Sequence, residues 1–349
     1  MRRANIVYWY GLSEMPRDGG GLRALAWHKA LNDLGYEASI HALRSTEPQA
    51  AKQSRLRNFK KRVIPMPLQG RLPNLPAADL NVITVPSVFA SAGRSLNQST
   101  LLFDWMDLWS VNARTMAQSS RSLRPGGLAQ SLWWRRLESR LPVKAAGNAF
   151  AGHQDFLSLS RSRRVPSAWL PTPVEWPESI VPRPSKRPRR IGFLGNMNYP
   201  PNVMSLKQFL STYADRLGLM GMELVVAGYG SEVVKSWTSQ VTVLGAVGDV
   251  AAFYSAVDAV IVPINHGGGI KVKALEAMVY GVPIYGTEHV RSGFDPSFWK
   301  YIGDVYDLMN DDHRNLEVAP LRAMHSRFSE SSFTEGVGDL LRRSGFKLS

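Results

Sequence analysis

A chain of 349 residues holds two domains at ~100–200 residues each, which excludes a single small binding module. Hydrophobic residues make up 44% and charged residues 20%, an ordinary globular profile that excludes disorder over most of the chain. There are no Cys, which excludes disulfide frameworks, thiolate metal sites and Cys nucleophiles, and 42 Lys+Arg against 28 Asp+Glu give a net charge of +14.

That charge is uneven. Residues 1–180 carry 24 basic and 12 acidic side chains, residues 181–190 five basic and none acidic, and residues 191–349 carry 13 against 16. The first half is thus expected to face something anionic, nucleic acid or the inner leaflet of a membrane. Met1-Arg2-Arg3-Ala4-Asn5 leads straight into a strand pattern without the apolar stretch of a secretory leader, so a cytoplasmic location is expected. No run of ~18 apolar residues predicts a membrane-spanning helix.

In chain order, the first half reads as strands at Ile6–Tyr10, Glu37–Leu43, Leu80–Val85, Leu101–Trp105 and Ala145–Phe150. After the first strand come Gly19-Gly20-Gly21 and a helix in which Leu22, Leu25, Ala26, Leu31 and Leu34 keep helical spacing, with Gly35 as a stop. The backbone N–H groups of Gly20 and Gly21 could cradle an anion, or the segment could be a plain loop. Lys52, Arg55, Arg57, Lys60, Lys61 and Arg62 form one basic cluster. Asp104 and Asp107 appear where the fourth strand ends. Asp107 falls at the edge where a general base would meet a bound hydroxyl, or it caps a helix, while Asp104 reads as structural. Trp133-Trp134-Arg135-Arg136 with Arg140 form a second basic cluster, either interfacial or a solvated face with the Trp in the core.

Residues 166–190 hold seven Pro and end in Lys186-Arg187-Pro188-Arg189-Arg190, which reads as a linker between a first domain, 1–165, and a second, 191–320. The second repeats the scheme, with strands at Ile191–Leu194, Glu223–Ala227, Val241–Leu244, Ala259–Ile264 and Pro283–Thr287 and helices near 203–217, 250–256 and 270–280. Residues 321–349 read as a helical segment that packs back on the first domain. The prediction is α/β: two Rossmann-like doubly wound sheets whose ligands lie outside the carboxyl ends of the strands, across a cleft.

Two turns of the second domain carry chemistry. In the first, Gly195 permits close approach to the backbone, Met197 follows, and Asn202 reads as a helix cap. In the second, Gly267-Gly268-Gly269 precede a helix bearing Lys271, Lys273 and Glu276. A helix N-terminus behind Gly268 and Gly269 suits phosphate, either Lys adds charge, and Lys273 and Glu276 share a helical face. The same pattern also fits a Gly-rich turn with a surface ion pair. No P-loop, G-x-G-x-x-G, H-E-x-x-H or G-x-S-x-G pattern occurs, so no metal site or serine triad is expected.

The stretch Gly267–Gly286, reading GGGIKVKALEAMVYGVPIYG, resembles the donor-site signature of GT-B glycosyltransferases of the glycosyl transferases group 1 clan. Gly19-Gly20-Gly21 and Gly195-Asn196-Met197-Asn198 match the clan in place. Asp107-Leu108-Trp109-Ser110 and Met197 are also similar to the membrane-associated glucuronosyltransferase of xanthan assembly. The resemblance implies a nucleotide-sugar donor, UDP-sugar favoured, and no other cofactor or metal. It further implies a lipid-linked saccharide acceptor, Asp107 as catalytic base, Met197 and Lys273 on the nucleotide, Glu276 on ribose, and work at the inner face of the plasma membrane. The clan's paired glutamates are represented here by Gly268 and Glu276, and its Arg and Lys after the second domain's first strand by Asn196, Met197 and Asn198. A catalytically altered GT-B-like protein and a basic nucleic-acid-binding protein are the alternatives.

Overall fold

The computed structural model describes residues 1–15, 18–45, 70–90, 96–119, 124–160, 164–177, 188–310 and 320–348. The chain divides into two compact units, Met1–Pro173 with Glu330–Ser349, and Val174–Ser329. The basic cluster from Lys52 to Arg62, and residues 178–187 of the Pro-rich stretch, lie outside the described residues.

In the first unit, β1 (Arg2–Tyr8), β2 (Tyr36–Ala42), β3 (Leu80–Ile83), β4 (Leu101–Trp105), β5 (Gly147–Phe150) and β6 (Ser167–Trp169) form one parallel sheet in the order β2-β1-β3-β4-β5-β6. The central strands are apolar on both faces, as a sheet covered on both sides requires. Ile6, Val82, Leu102 and Ala149 enter one core cluster, and their neighbours Val7, Ile83, Phe103 and Phe150 enter the other. Helix α1 (Gly19–Asp33) buries Trp27, Ala30 and Leu31, while α2 (Trp109–Ser119) and α3 (Arg124–Glu138) pack against each other and α4 (His153–Leu159) follows β5.

Strand β6 corrects the expectation of a linker beginning at residue 166. Ser167, Ala168 and Trp169 pair with β5, and Asn148 N–H donates to the Pro166 carbonyl at 2.9 Å. The prolines flank this short strand rather than interrupting it. Asp104, on β4, is fully buried in a pair with Arg23 of α1, whose guanidinium also donates to the Leu170 carbonyl at 2.7 Å. Its reading as structural agrees with this setting.

The second unit has β7 (Arg190–Leu194), β8 (Glu223–Ala227), β9 (Val241–Gly245), β10 (Ala259–Val262), β11 (Ile284–Gly286) and β12 (Ile302–Asp304), parallel and in the order β9-β8-β7-β10-β11-β12. Here the chain order reverses between β7 and β10, as it does between β1 and β3 in the first sheet. Helices α5 (Pro200–Leu219), α6 (Val250–Ser255), α7 (Val272–Val279), α8 (Glu288–Arg291), α9 (Val305–Met309) and α10 (Leu321–Phe328) belong to this unit. The segment read as one C-terminal helical stretch breaks at Ser329. Only α11 (Glu330–Arg343) lies in the first unit, where Phe333, Val337, Leu340 and Leu341 join Ile6, Trp27 and Leu31 in one core cluster. The unit boundaries accordingly fall at 173 and 329, beyond the 165 and 320 expected from composition.

Candidate functional site

Parallel strands deliver their carboxyl ends to one edge of a sheet, and where strand order reverses the flanking loops splay apart to leave a crevice. In the second unit that position is between β7 and β10. The β7 loop supplies Gly195 and Asn202, and the β10 loop supplies Gly267–Gly269 and α7. Lys273 and Asn202 meet there, the ammonium donating to Asn202 Oδ1 at 2.8 Å and lying 4.7 Å from the centre of the Phe193 ring. Asn202 Nδ2 in turn donates to the Asn196 carbonyl at 2.9 Å. Asn202 therefore bridges two loops from inside the first turn of α5 and is not the cap expected of it; Tyr199 holds that position. Burial pushes the Lys273 ammonium down to about 7, with Lys271 adding repulsion and Glu276 opposing it.

One turn along α7, the Glu276 carboxyl accepts from the Tyr254 hydroxyl at 2.9 Å, and the same hydroxyl reaches the Lys273 carbonyl at 3.2 Å. Burial raises the Glu276 carboxyl above its usual range, against the Tyr254 hydrogen bond and Lys273. The structure thus brings Gly195, Lys273 and Glu276 together.

Four other expected site residues have different surroundings. Met197 is 6% exposed and packs in the core cluster with Phe193 and Leu206. The Lys271 ammonium donates to the Gly268 carbonyl at 2.6 Å and to the Gly267 carbonyl at 3.2 Å, so it ties down the glycine loop. Gly268 therefore presents its carbonyl to Lys271, while Gly269, like Gly267, has left-handed φ, at +66° and +90°. His289 was not foreseen. Burial, with Lys271 beside it, pushes its imidazole down to about 4, so Nε2 carries the proton of a neutral ring and donates it to the Gly267 carbonyl.

In the first unit, Gly20 and Gly21 lie in the first turn of α1. The Asp18 carboxylate accepts from Gly21 N–H at 2.9 Å, and a Cβ on Gly20 would collide with the Tyr8 hydroxyl. Asp107, at the carboxyl edge of β4, accepts from Asn112 Nδ2 at 2.9 Å and lines a pocket with Trp9, Ser87 and Trp109. A residue the sequence reading passed over, Glu138 at the end of α3, is 1% exposed and accepts from Ser110 N–H at 3.2 Å and from the Ser110 hydroxyl. It thus holds the start of α2 from a neighbouring helix. Burial pushes its carboxyl up to about 7, against the Ser110 hydrogen bonds and with the charge of Asp107 adding to the shift.

Residues 188–294, which contain the whole Lys273 cluster, match the family described as Glycosyl transferases group 1. No curated protein sequence matches the chain. Among solved structures, the chain is similar to sucrose-phosphate synthase from Thermosynechococcus elongatus, at 13% identity and a TM-score of 0.68 over 98% of this chain and 99% of that one. It is also similar to HepE of Anabaena in complex with UDP and glucose, at 12% identity and a TM-score of 0.59 over 98% and 100%. HepE in complex with UDP-glucose gives 12% and 0.58 over the same shares. The chain thus has a GT-B fold, and its residues 188–294 match the glycosyl transferases group 1 family.

Proposed function

We propose that this glycosyltransferase moves a sugar, hexose or glucuronate, from a UDP-sugar to a lipid-linked saccharide in bacterial polysaccharide assembly, without a metal. The observation that carries the donor side is the meeting of Lys273, Asn202 and Glu276 at the reversal point of the second sheet. Lys273 would neutralise the diphosphate, and Glu276, oriented by Tyr254, would accept ribose hydroxyls. The binding of UDP and UDP-glucose by HepE, and the likeness of Asp107–Ser110 to the xanthan glucuronosyltransferase, favour UDP.

In the transfer step the acceptor oxygen bonds to the anomeric carbon of the donor sugar while the bond from that carbon to the diphosphate oxygen breaks. The acceptor's proton passes to Asp107, and the electron pair leaves on the nucleoside diphosphate. Asn112 holds the Asp107 carboxylate for this role.

The membrane reading rests on α3. Trp134 is buried and belongs to the core, but Leu128, Leu132 and Trp133 are 45%, 68% and 46% exposed on the outward side, which also carries Arg135 and Arg136. Exposed apolar groups flanked by Arg suit an anionic lipid surface, where each cation contributes about 1 kcal/mol. Among the described residues no helix is long and apolar enough to cross a membrane.

A thermal-shift comparison of UDP and GDP tests the donor. UDP at 100 times its Kd should stabilise by about 2.7 kcal/mol. Lys273→Ala should abolish that shift, whereas Asp107→Asn should keep it and lower transfer ~10²–10⁴-fold. A UDP shift that survives in Lys273→Ala rules out the assigned donor site.

A further inference from the structure

The loop from Ile264 to Ile270, which leads from β10 into α7, is fastened from outside as well as by Lys271. The segment after β11, Thr287–Gly293, meets it at three successive points. The Thr287 hydroxyl donates to the Ile264 carbonyl at 2.6 Å, and His289 Nε2–H donates to the Gly267 carbonyl. At the far end, a Cβ on Gly293 would stand 2.9 Å from the Gly269 carbonyl oxygen and 3.1 Å from Ile270 Cα, so the two backbones are in close contact. The segment is itself firmly held. Thr287 caps α8, Val290 and Phe294 are fully buried, and the Arg291 guanidinium donates to the Ile302 carbonyl at 2.9 and 2.7 Å, which ties it to the start of β12.

Three successive glycines need such a support, because glycine has more backbone freedom to lose than any other residue. A ligand that had to order the loop itself would bind more weakly, in proportion to how seldom the right shape is populated. The Gly267 carbonyl accepts from both the Lys271 ammonium and the His289 imidazole, which uses both of its lone pairs. No peptide bond among the described residues is cis, and in a planar trans peptide a carbonyl held to one side turns the next N–H to the other. Fixing the carbonyls of Gly267 and Gly268 therefore fixes the direction of the Gly268 and Gly269 N–H groups. We infer that Thr287–Gly293 is a brace that sets the shape of the glycine loop before a nucleoside diphosphate arrives, with His289 as a positioning residue acting through Gly267. The inference rests on the donor reading above, in which Lys273 neutralises the diphosphate.

Hydrogen exchange read by mass spectrometry on the full chain, with UDP titrated calorimetrically in parallel, tests it. Without UDP, His289→Ala should speed exchange over residues 264–270 by about fivefold or more and leave β8 and β10 as they are. The same variant should weaken UDP binding about tenfold. His289→Gln, whose side-chain amide can donate to the same carbonyl, should recover most of both losses. Gly293→Ala, which presses on the other end of the loop, should weaken UDP with His289 still in place. The inference is overturned if loop exchange in His289→Ala matches the wild type, if that variant binds UDP as tightly, or if His289→Gln fails as His289→Ala does. Faster exchange spread evenly over the second sheet also overturns it, because His289 would then hold the fold and not the loop. If the wild type binds no UDP, the donor reading falls, and loop exchange in His289→Ala alone decides whether the brace exists.

Discussion

At the scale of single residues, the decisive side chain is Lys273. Its ammonium titrates at about 7 in the folded protein against 10.5 unperturbed, because burial removes water that the Asn202 contact only partly replaces. Between those two values the unfolded chain holds the proton and the folded chain does not, so this group makes the unliganded protein more stable as pH rises from about 7 towards 10.5. A diphosphate reverses the preference by favouring the charged amine. UDP binding should therefore take up a proton above pH 7 and weaken as pH rises from 7 to 9, by up to tenfold per unit. Isothermal titration across that range checks it, and Lys273→Met should bind UDP weakly at every pH without the slope. The spacing of Lys273 and Glu276 was legible because one short helix fixes it. Asn202 and Tyr254 were not, since they reach the site from α5 and α6, and no local pattern links them to α7. Lys271 shows why the pattern alone is ambiguous: a cation beside three glycines fits an anion site and, as here, also bonds the loop's own carbonyls.

At the scale of elements, the strands with runs of buried apolar residues were readable within two to four positions, and β4 and β8 have the predicted bounds. Strands β6 and β12 have three residues each, too few to show a period, and they hold their places through pairing with the neighbouring strand. The loops at the carboxyl edge of the second sheet obey a constraint that composition hides. Gly228 has φ +118°, and a Cβ there would run into the Gly195 carbonyl oxygen. The ends of β7 and β8 can approach this closely only without that side chain. Gly228→Ala should cost at least about 2 kcal/mol from strain and overlap. Chemical denaturation should show a lower midpoint for the variant, together with a weakened UDP shift because Gly195 is displaced.

At the scale of the whole molecule, the charge imbalance is sharper than the sequence boundary made it. With the units divided at 173 and 329, the first carries 27 basic and 13 acidic side chains and the second 15 of each, so all of the +14 belongs to the first. In the proposed reading, a net-neutral second unit would hold its ligand by local contacts such as that of Lys273, whereas the cationic first unit suits a long-range attraction to an anionic surface. The protein should float with vesicles containing phosphatidylserine and release as salt rises. Leu132→Asp with Trp133→Asp should reduce flotation severalfold at low salt, while the second unit's response to UDP stays intact.

The return of α11 to the first unit governs the order in which a growing chain can fold. Ala4, Ile6 and Trp27 emerge early, yet they share a core with Phe333, Val337, Leu340 and Leu341, which are made only after all of the second unit. Domains fold as units during synthesis, so the second unit can close first while the first unit waits with apolar surface open. A chain stopped at Ser329 lacks those four buried side chains, at about 1.5–3 kcal/mol each. Limited proteolysis should find its first unit degraded, with the second protected by UDP. A ribosome-bound nascent chain should then acquire nucleotide binding before it acquires a basic surface of fixed shape.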